Sequence, residues 1–369
     1  MHFLFIDPAG NGYDPETPLR MPLGGTQSAV CYLSGELAKA GCKVTLMNHA
    51  QEKRVVNGVR IETNSTIMAE GFGQFDVVVV VSAAAGYKFR QVIPKSIPML
   101  LYCHHAADQP AVSPLSDKET WQAWSGFVMV SNWQLNHYVN RFGLPRENLH
   151  VVENAVSPGF LKQVPNVPWF ERGASPILTY ISTPFRGLDV LLAAFPAIRE
   201  RMPGTELKVF SGMKLYDQAA QNDRHEYLYA WARALPGVTY SPPVSQLELA
   251  EHLRDAAALS YPSTFAETSC ISVMEAMACG ADVLTTELGA LPETLHGFGR
   301  TMSMTPSLAE LTRNYVDFVC NALQDAKQNP AAATERRKQQ MEFVRNNYTW
   351  ANRAQSWVRL VEAIKSGKA

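Results

Sequence analysis

The sequence predicts an α/β protein of two doubly wound, Rossmann-like domains facing a central cleft. Three observations carry that expectation. Short apolar runs alternate with segments of helical period along most of the chain. The runs are apolar throughout rather than every second residue, as strands of a parallel sheet buried on both faces are. The rhythm stops once, in a proline-bearing stretch, and then restarts. A chain of 369 residues is long enough for two domains of ordinary size.

In order, residues 2–6, 43–47, 59–62, 76–82, 99–104, 127–131 and 149–153 read as strands, with helices expected over 25–40 and 132–142. Residues 154–175 hold Pro158, Pro165 and Pro168 with little periodicity and read as a linker. Strands are again expected at 177–182, 207–212, 238–241, 256–261 and 283–286, and the chain turns helical from Ser307 onward. The expected domains are 1–156 and 157–348. Residues 349–369 form a last segment whose Trp350, Ala354, Trp357, Leu360 and Val361 fall at helical spacing. This helix is expected to cross back toward the first domain; a plain terminal helix fits the spacing equally.

The bulk numbers exclude several classes. Hydrophobic content of 46% and charge of 18% suit a well-filled α/β protein, and a net charge of −1 implies no affinity for nucleic acid. Residues 1–156 carry 12 Lys/Arg against 13 Asp/Glu, so that half is no basic membrane face; at most weak peripheral contact with a membrane is expected. The start of the chain reads as a first strand rather than a charged leader, and the longest apolar runs are too short to span a bilayer. Six cysteines at 31, 42, 103, 270, 279 and 320 form no Cys-x-x-Cys pair and read as buried thiols in a reducing cytoplasm.

The richest stretch runs from Ser263 to Gly280. It follows a buried strand, opens with Ser263, Thr264, Thr268 and Ser269, any of which can cap a helix, and continues through helix formers to Gly280. The helix start would then sit at the carboxyl end of a sheet, where main-chain N–H groups and the helix dipole favour phosphate. Glu267 lies in the loop, and Glu275 lies one turn from Ile271 at the border of the apolar face. A carboxylate there needs hydrogen-bonding partners, and a ligand with hydroxyls and phosphates would supply them. On spacing alone, an ordinary βα unit with a surface Glu is the simpler reading.

Glu267, Glu275, Ala276-Met277-Ala278 and Gly280 together resemble the donor-site motif of retaining glycosyltransferases with the GT-B fold (family 4, glycosyl transferases group 1). The family pattern is E-x-F-G-x-x-x-x-E-A-M-A-x-G; this chain departs from it at Ser269 and Cys270, where the family has Phe and Gly. The resemblance covers nearly the whole chain, specifically at 261–294, more loosely at 180–195 and most loosely in the first 150 residues. It makes the first domain the acceptor side and the second the nucleotide-sugar side. It implies that Glu267 holds hydroxyls of the transferred sugar, that Glu275 holds the nucleotide ribose, and that the helix start at Cys270, Ile271 and Ser272 receives the diphosphate.

Other stretches fit the same resemblance. Residues 7–26 form a long first loop ending in Gly24-Gly25 before a helix; glycines let main chain approach a ligand closely, and the family places such a loop beside the donor diphosphate. His104 ends an apolar run in Tyr102-Cys-His-His, where a family His reaches the transferred sugar; a packed, backbone-bonded His is the alternative. His105 points the other way along a strand and is, with Asp108, a candidate on the acceptor side. In Tyr180-Ile-Ser-Thr-Pro-Phe-Arg-Gly, Arg186 stands where the family has a phosphate-gripping Lys, while the family's Arg has no counterpart. Arg binds phosphate in a fork that Lys lacks. Lys214 either supplies the second cation or is a solvated side chain.

No Asp-x-Asp pair or His/Cys cluster offers itself to a metal at a diphosphate. The expected function is therefore metal-independent, retaining transfer of a sugar from a nucleotide sugar, UDP- or GDP-linked, to a glycan, lipid-linked or small-molecule acceptor, with Glu267, His104 and Arg186 at the reacting centre and no cofactor. A second reading is another GT-B enzyme, an epimerase or a phosphorylase. A third is a non-catalytic scaffold that only binds sugar nucleotide.

Overall fold

A computed structural model describes residues 1–213 and 223–367. The chain divides into two compact units: Met1–Pro18 with Gly25–Ala155 and the stretch from Trp350, and Leu19–Gly24 with Val156–Thr349.

The sheet of the first unit holds β1 (His2–Ile6), β2 (Lys43–Met47), β3 (Arg54–Val56), β4 (Val59–Glu62), β5 (Val77–Val81), β6 (Met99–Cys103), β7 (Gly126–Met129) and β8 (Leu149–Val151), in the order β3-β4-β2-β1-β5-β6-β7-β8. Central β5 is five valines, all buried, as a strand covered on both faces requires. Every pairing is parallel except that of β3 with β4. This edge hairpin departs from the all-parallel expectation. It turns on Asn57 and Gly58, both at positive φ (50° and 79°), the conformation a two-residue hairpin loop demands.

The helix Asn132–Phe142 begins where Ser131 accepts the Gln134 N–H at 3.0 Å and stops at Gly143 in the left-handed region. The last helix, Trp350–Lys365, buries Trp350, Ala354, Trp357 and Val361 along one stripe. Trp357 is fully buried, edge-on to Tyr102 at 5.1 Å and to Phe5 at 6.2 Å, so this helix belongs to the core of the first unit.

The sheet of the second unit is all parallel: β9 (Ile177–Tyr180), β10 (Glu206–Phe210), β11 (Val238–Ser241), β12 (Ala258–Tyr261), β13 (Asp282–Thr286) and β14 (Arg300–Met302), ordered β11-β10-β9-β12-β13-β14. β14 was not expected, because three residues, Arg-Thr-Met, carry no strand pattern of their own. The order reverses direction around β9 and β12, and the loops leaving the carboxyl ends of these two strands are those that hold Arg186 and Glu267. Such a switch point is where open α/β sheets bind ligands.

Candidate functional site

In the second unit the loop after β12 is tied down by its neighbours. Thr285 and Thr286 of β13 donate their hydroxyls to the carbonyls of Tyr261 and Ser263 at 2.6 and 2.7 Å. Farther along, the main chain of Glu267 bridges to Gly289, and the Ala290 N–H donates to the Glu267 carbonyl at 2.7 Å. A Cβ on Gly289 would stand 2.5 Å from that carbonyl oxygen, so only glycine permits the approach. The loop after β9 is held to the same strand end. Gly187, at φ +102°, passes so close that a Cβ would lie 2.0 Å from the Pro262 carbonyl oxygen. These contacts bring Arg186 to Glu267 across 81 residues of sequence.

Glu267 is buried and accepts two hydrogen bonds on one oxygen. Arg186 Nη1 donates to Oε1 at 2.7 Å, and the Tyr261 hydroxyl donates to the same atom at 2.5 Å. The Arg186 guanidinium also lies over the ring of Phe265 at 4.5 Å and that of Phe185 at 5.5 Å. Charge, hydroxyl and aromatic faces together set the carboxylate in one orientation. Burial, reinforced by the Glu267 charge, pushes the Tyr261 hydroxyl well above its ordinary value, so it remains a donor.

The helix expected from this stretch spans Ile271–Ala278, with Cys270 at its N-cap and no side-chain capping bond from that residue. Cys270 is buried, which pushes its thiol well above the usual value and leaves it an uncharged, compact cap. Ser272 turns its hydroxyl to the Ile181 carbonyl at 2.9 Å, so its side chain is committed to the fold and only its main chain faces the expected ligand role. Glu275 corrects the sequence expectation of a border position. It is 4% exposed, and burial raises its carboxyl to about 8. Gln246 Nε2 lies 3.4 Å from its Oε1.

His104 lies in the first unit, just beyond β6. Its ring meets Tyr102 edge-on at 4.4 Å, its main-chain N–H lies 3.4 Å from Ser82 Oγ, and burial, aided by the nearby His105, pulls the imidazole down to about 3. It is a neutral hydrogen-bonding group across the range of ordinary assays. The turn carrying it is pinned by Gln134, fully buried, which donates to the carbonyls of Cys103 and His105 at 3.1 and 2.8 Å. Gly25 opens the helix Gly25–Lys39, and Gly24 precedes it. Lys214 lies outside the described residues.

Arg186, Glu267, Cys270, Ile271, Ser272 and Glu275 thus gather at one strand-end cluster of the second unit. Sequence reasoning missed Tyr261, Gln246 and Gln134. Tyr261 and Gln134 stood in stretches already singled out, but a buried tyrosine at a strand end looks like core until its hydroxyl is seen to have a partner. Among the described residues no group of three or more His, Cys, Asp or Glu could hold a metal ion, and no helix is long and apolar enough to cross a membrane.

Comparison with known proteins bears on this cluster. Residues 175–324 match the family model of glycosyl transferases group 1. A D-inositol 3-phosphate glycosyltransferase of Arthrobacter sp. (strain FB24) is 33% identical over 121 residues, 31% of this chain and 27% of that protein. The chain thus spans about a quarter of the length of the curated relatives it matches. Among solved structures, sucrose-phosphate synthase from Thermosynechococcus elongatus superposes with a TM-score of 0.72 over 99% of both chains at 17% identity. Anabaena Alr3699/HepE in complex with UDP-glucose gives 0.68 over 98% of this chain and 100% of that one, at 13% identity.

Proposed function

We propose that this GT-B chain, whose residues 175–324 match the family model of glycosyl transferases group 1, is a retaining glycosyltransferase. In this reading it moves a sugar from a UDP- or GDP-linked donor to a glycan, lipid-linked or small-molecule acceptor, without a metal ion. The observation that carries the reading is the Arg186–Glu267 pair at the carboxyl ends of β9 and β12, beside the start of the helix that carries Glu275. The nucleotide-sugar complex of Alr3699/HepE, a neighbour in fold, supports the choice of donor class.

Glu267 Oε2 would accept a hydroxyl of the transferred sugar while Arg186 and Tyr261 hold Oε1. The diphosphate would lie at the main chain of Cys270, Ile271 and Ser272, with Arg186 reaching one of its oxygens. Glu275 would meet the ribose hydroxyls, and His104, by the resemblance, the transferred sugar. Positioned charge of this kind stabilises a leaving diphosphate without reorganisation at the moment of reaction, several kcal/mol for well-placed donors. The diphosphate itself would help take the acceptor's proton on the face it leaves, so no covalent sugar on the enzyme is required. Exclusion of water from the bound donor would suppress hydrolysis. We place the enzyme in the cytoplasm, with at most weak peripheral membrane contact, since all six cysteines are free.

The test is a panel of nucleotide sugars followed by thermal shift and nucleotide release with an acceptor panel. Nucleotide release with anomeric retention in the product supports the reading. Binding without turnover of any donor would replace it with a sugar-nucleotide-binding scaffold, and inversion of the anomeric centre would overturn the mechanism.

A further inference from the structure

A pocket of about 60 Å³ lies in the second unit at the amino ends of its strands. Ala256, Ala257 and Ala258 lead into β12 on its wall, and Asp282 opens β13 there. Glu267 follows the other end of β12, so the pocket and the Arg186–Glu267 pair are separated by a strand's length, about 13 Å for four residues. None of the described residues assigned to the donor lines it.

The apolar part of the wall includes Leu284, Leu323, Trp169 and Phe170, and the two rings meet edge to face at 5.6 Å. The polar part is rich in guanidinium: Arg172, Arg254, Arg336 and Arg337 face two carboxylates, Asp255 and Asp282. Those carboxylates are already engaged. Asp255 accepts from Asn166 at 2.7 Å and from Arg172 at 3.2 Å, and Asp282 pairs with Arg300 at 3.4 Å. Asp325, nearby, takes Arg300 at 2.5 Å and Arg336 at 3.7 Å.

Arg254 and Arg337 are left with uncharged acceptors. Arg254 donates to the Val164 carbonyl at 3.2 Å and to Asn166 Oδ1 at 3.3 Å. Arg337 donates to the carbonyls of Gly280 and Asn166, both at 2.9 Å. Among the described residues neither has a carboxylate within the 4.0 Å of an ion pair. Glu171 acts on Arg337 only at longer range and accepts the Thr334 hydroxyl. Arginine held partly out of water without a counter-ion is costly to the fold. An anion supplied from solution would offset that cost and meet the remaining N–H groups in the forked geometry that suits carboxylate and phosphate.

We propose that this pocket binds a small organic anion, a phosphate monoester or a carboxylate, with its oxyanion at Arg254 and Arg337 and a short apolar body against Trp169 and Leu323. The volume sets a limit: a cavity that would take about four waters at ~15 Å³ each holds one oxyanion, with a short apolar body continuing along the apolar wall.

The test is calorimetric titration of the full chain with ethyl phosphate, butyrate, inorganic phosphate and, as the uncharged control, butyramide. One of the two organic anions binds at a single site, butyramide does not, and inorganic phosphate binds more weakly; which organic anion binds tighter distinguishes ester from carboxylate. Arg254→Gln and Arg337→Gln each weaken binding at least about tenfold, the effect of losing a charged hydrogen-bond donor, while Arg186→Ala leaves it unchanged. Arg337 also holds main chain, so Arg254→Gln carries the test if Arg337→Gln fails to fold. No binding of either organic anion, binding indifferent to Arg254→Gln, or binding lost in Arg186→Ala overturns the proposal. Inorganic phosphate binding as tightly as ethyl phosphate and butyrate overturns the organic body. Because binding is read directly, the outcome is independent of whether the chain transfers sugar.

Discussion

Arg186 Nη1 donates to Glu267 Oε1 at 2.7 Å, joining the loop after β9 to the loop after β12. Sequence reasoning expected the arginine to grip phosphate; in this structure its first partner is a carboxylate. The two roles are compatible, because a guanidinium has five N–H donors in a fixed fork. On the proposed function, removing it would take away a diphosphate contact and also free Glu267 to turn. Arg186→Ala is expected to lower kcat/KM by about 2–4 kcal/mol of transition-state stabilisation, the range for a lost charge-stabilising donor. Arg186→Lys, which keeps charge but not the fork, should recover only part of it. Steady-state kinetics with the identified donor checks both, and a tenfold loss or less for Arg186→Ala would count against the role.

Tyr261→Phe isolates the other bond to the same oxygen. The ring and its packing stay, and only a donor to a carboxylate is lost, an interaction of about 1.5–3 kcal/mol. The expected result is a fall of roughly tenfold or more in kcat/KM with little change in the folded circular-dichroism spectrum. Unchanged kinetics would show that Arg186 alone orients Glu267.

Glu275 makes stability depend on pH. Burial raises its carboxyl from 4.5 to about 8, so the folded state favours the protonated form. The sign follows: its contribution is fully present below about 4.5 and is lost as pH rises through about 8. The melting temperature of the unliganded wild type should therefore fall between pH 6 and pH 8.5 by more than that of Glu275→Gln, which cannot ionise. Parallel melting curves for the two proteins across this range would refute the assignment. If ribose hydroxyls donate to Glu275, donor binding at pH 7 should also release protons, measurable by calorimetry in buffers of different ionisation enthalpy.

His104 gives the opposite expectation. With its imidazole pulled down to about 3, it stays neutral from pH 5 to 8. His104→Ala should lower turnover by removing a hydrogen-bonding group yet leave the shape of the pH–rate profile unchanged. Loss of an acid limb with an apparent pKa near 6.5, the ordinary histidine value, would show that it titrates during turnover.

Trp357 is the structural counterpart. It is fully buried against Tyr102 and Phe5, so Trp357→Ala should cost about 3–5 kcal/mol by leaving a cavity. Denaturant unfolding followed by a probe in the first unit measures it. A cost below about 0.5 kcal/mol, the surface range, would place the helix Trp350–Lys365 outside the core.

The sequence by itself was enough for the class of fold, most strands, the helix Ile271–Ala278 and the identity of the acidic pair, because periodicity, caps and a short motif are local properties of the chain. Even the missed hairpin was written locally, in Asn57-Gly58 between apolar residues. The rest is non-local. That Arg186 faces Glu267, that Tyr261 shares its oxygen, that Glu275 is sealed from water and that Arg254 and Arg337 lack carboxylates among the described residues all depend on which loops and helices meet at the ends of neighbouring strands. Residue spacing carries no record of those meetings; parallel pairing and packing decide them, and with them the charge state and orientation of the groups at the candidate site.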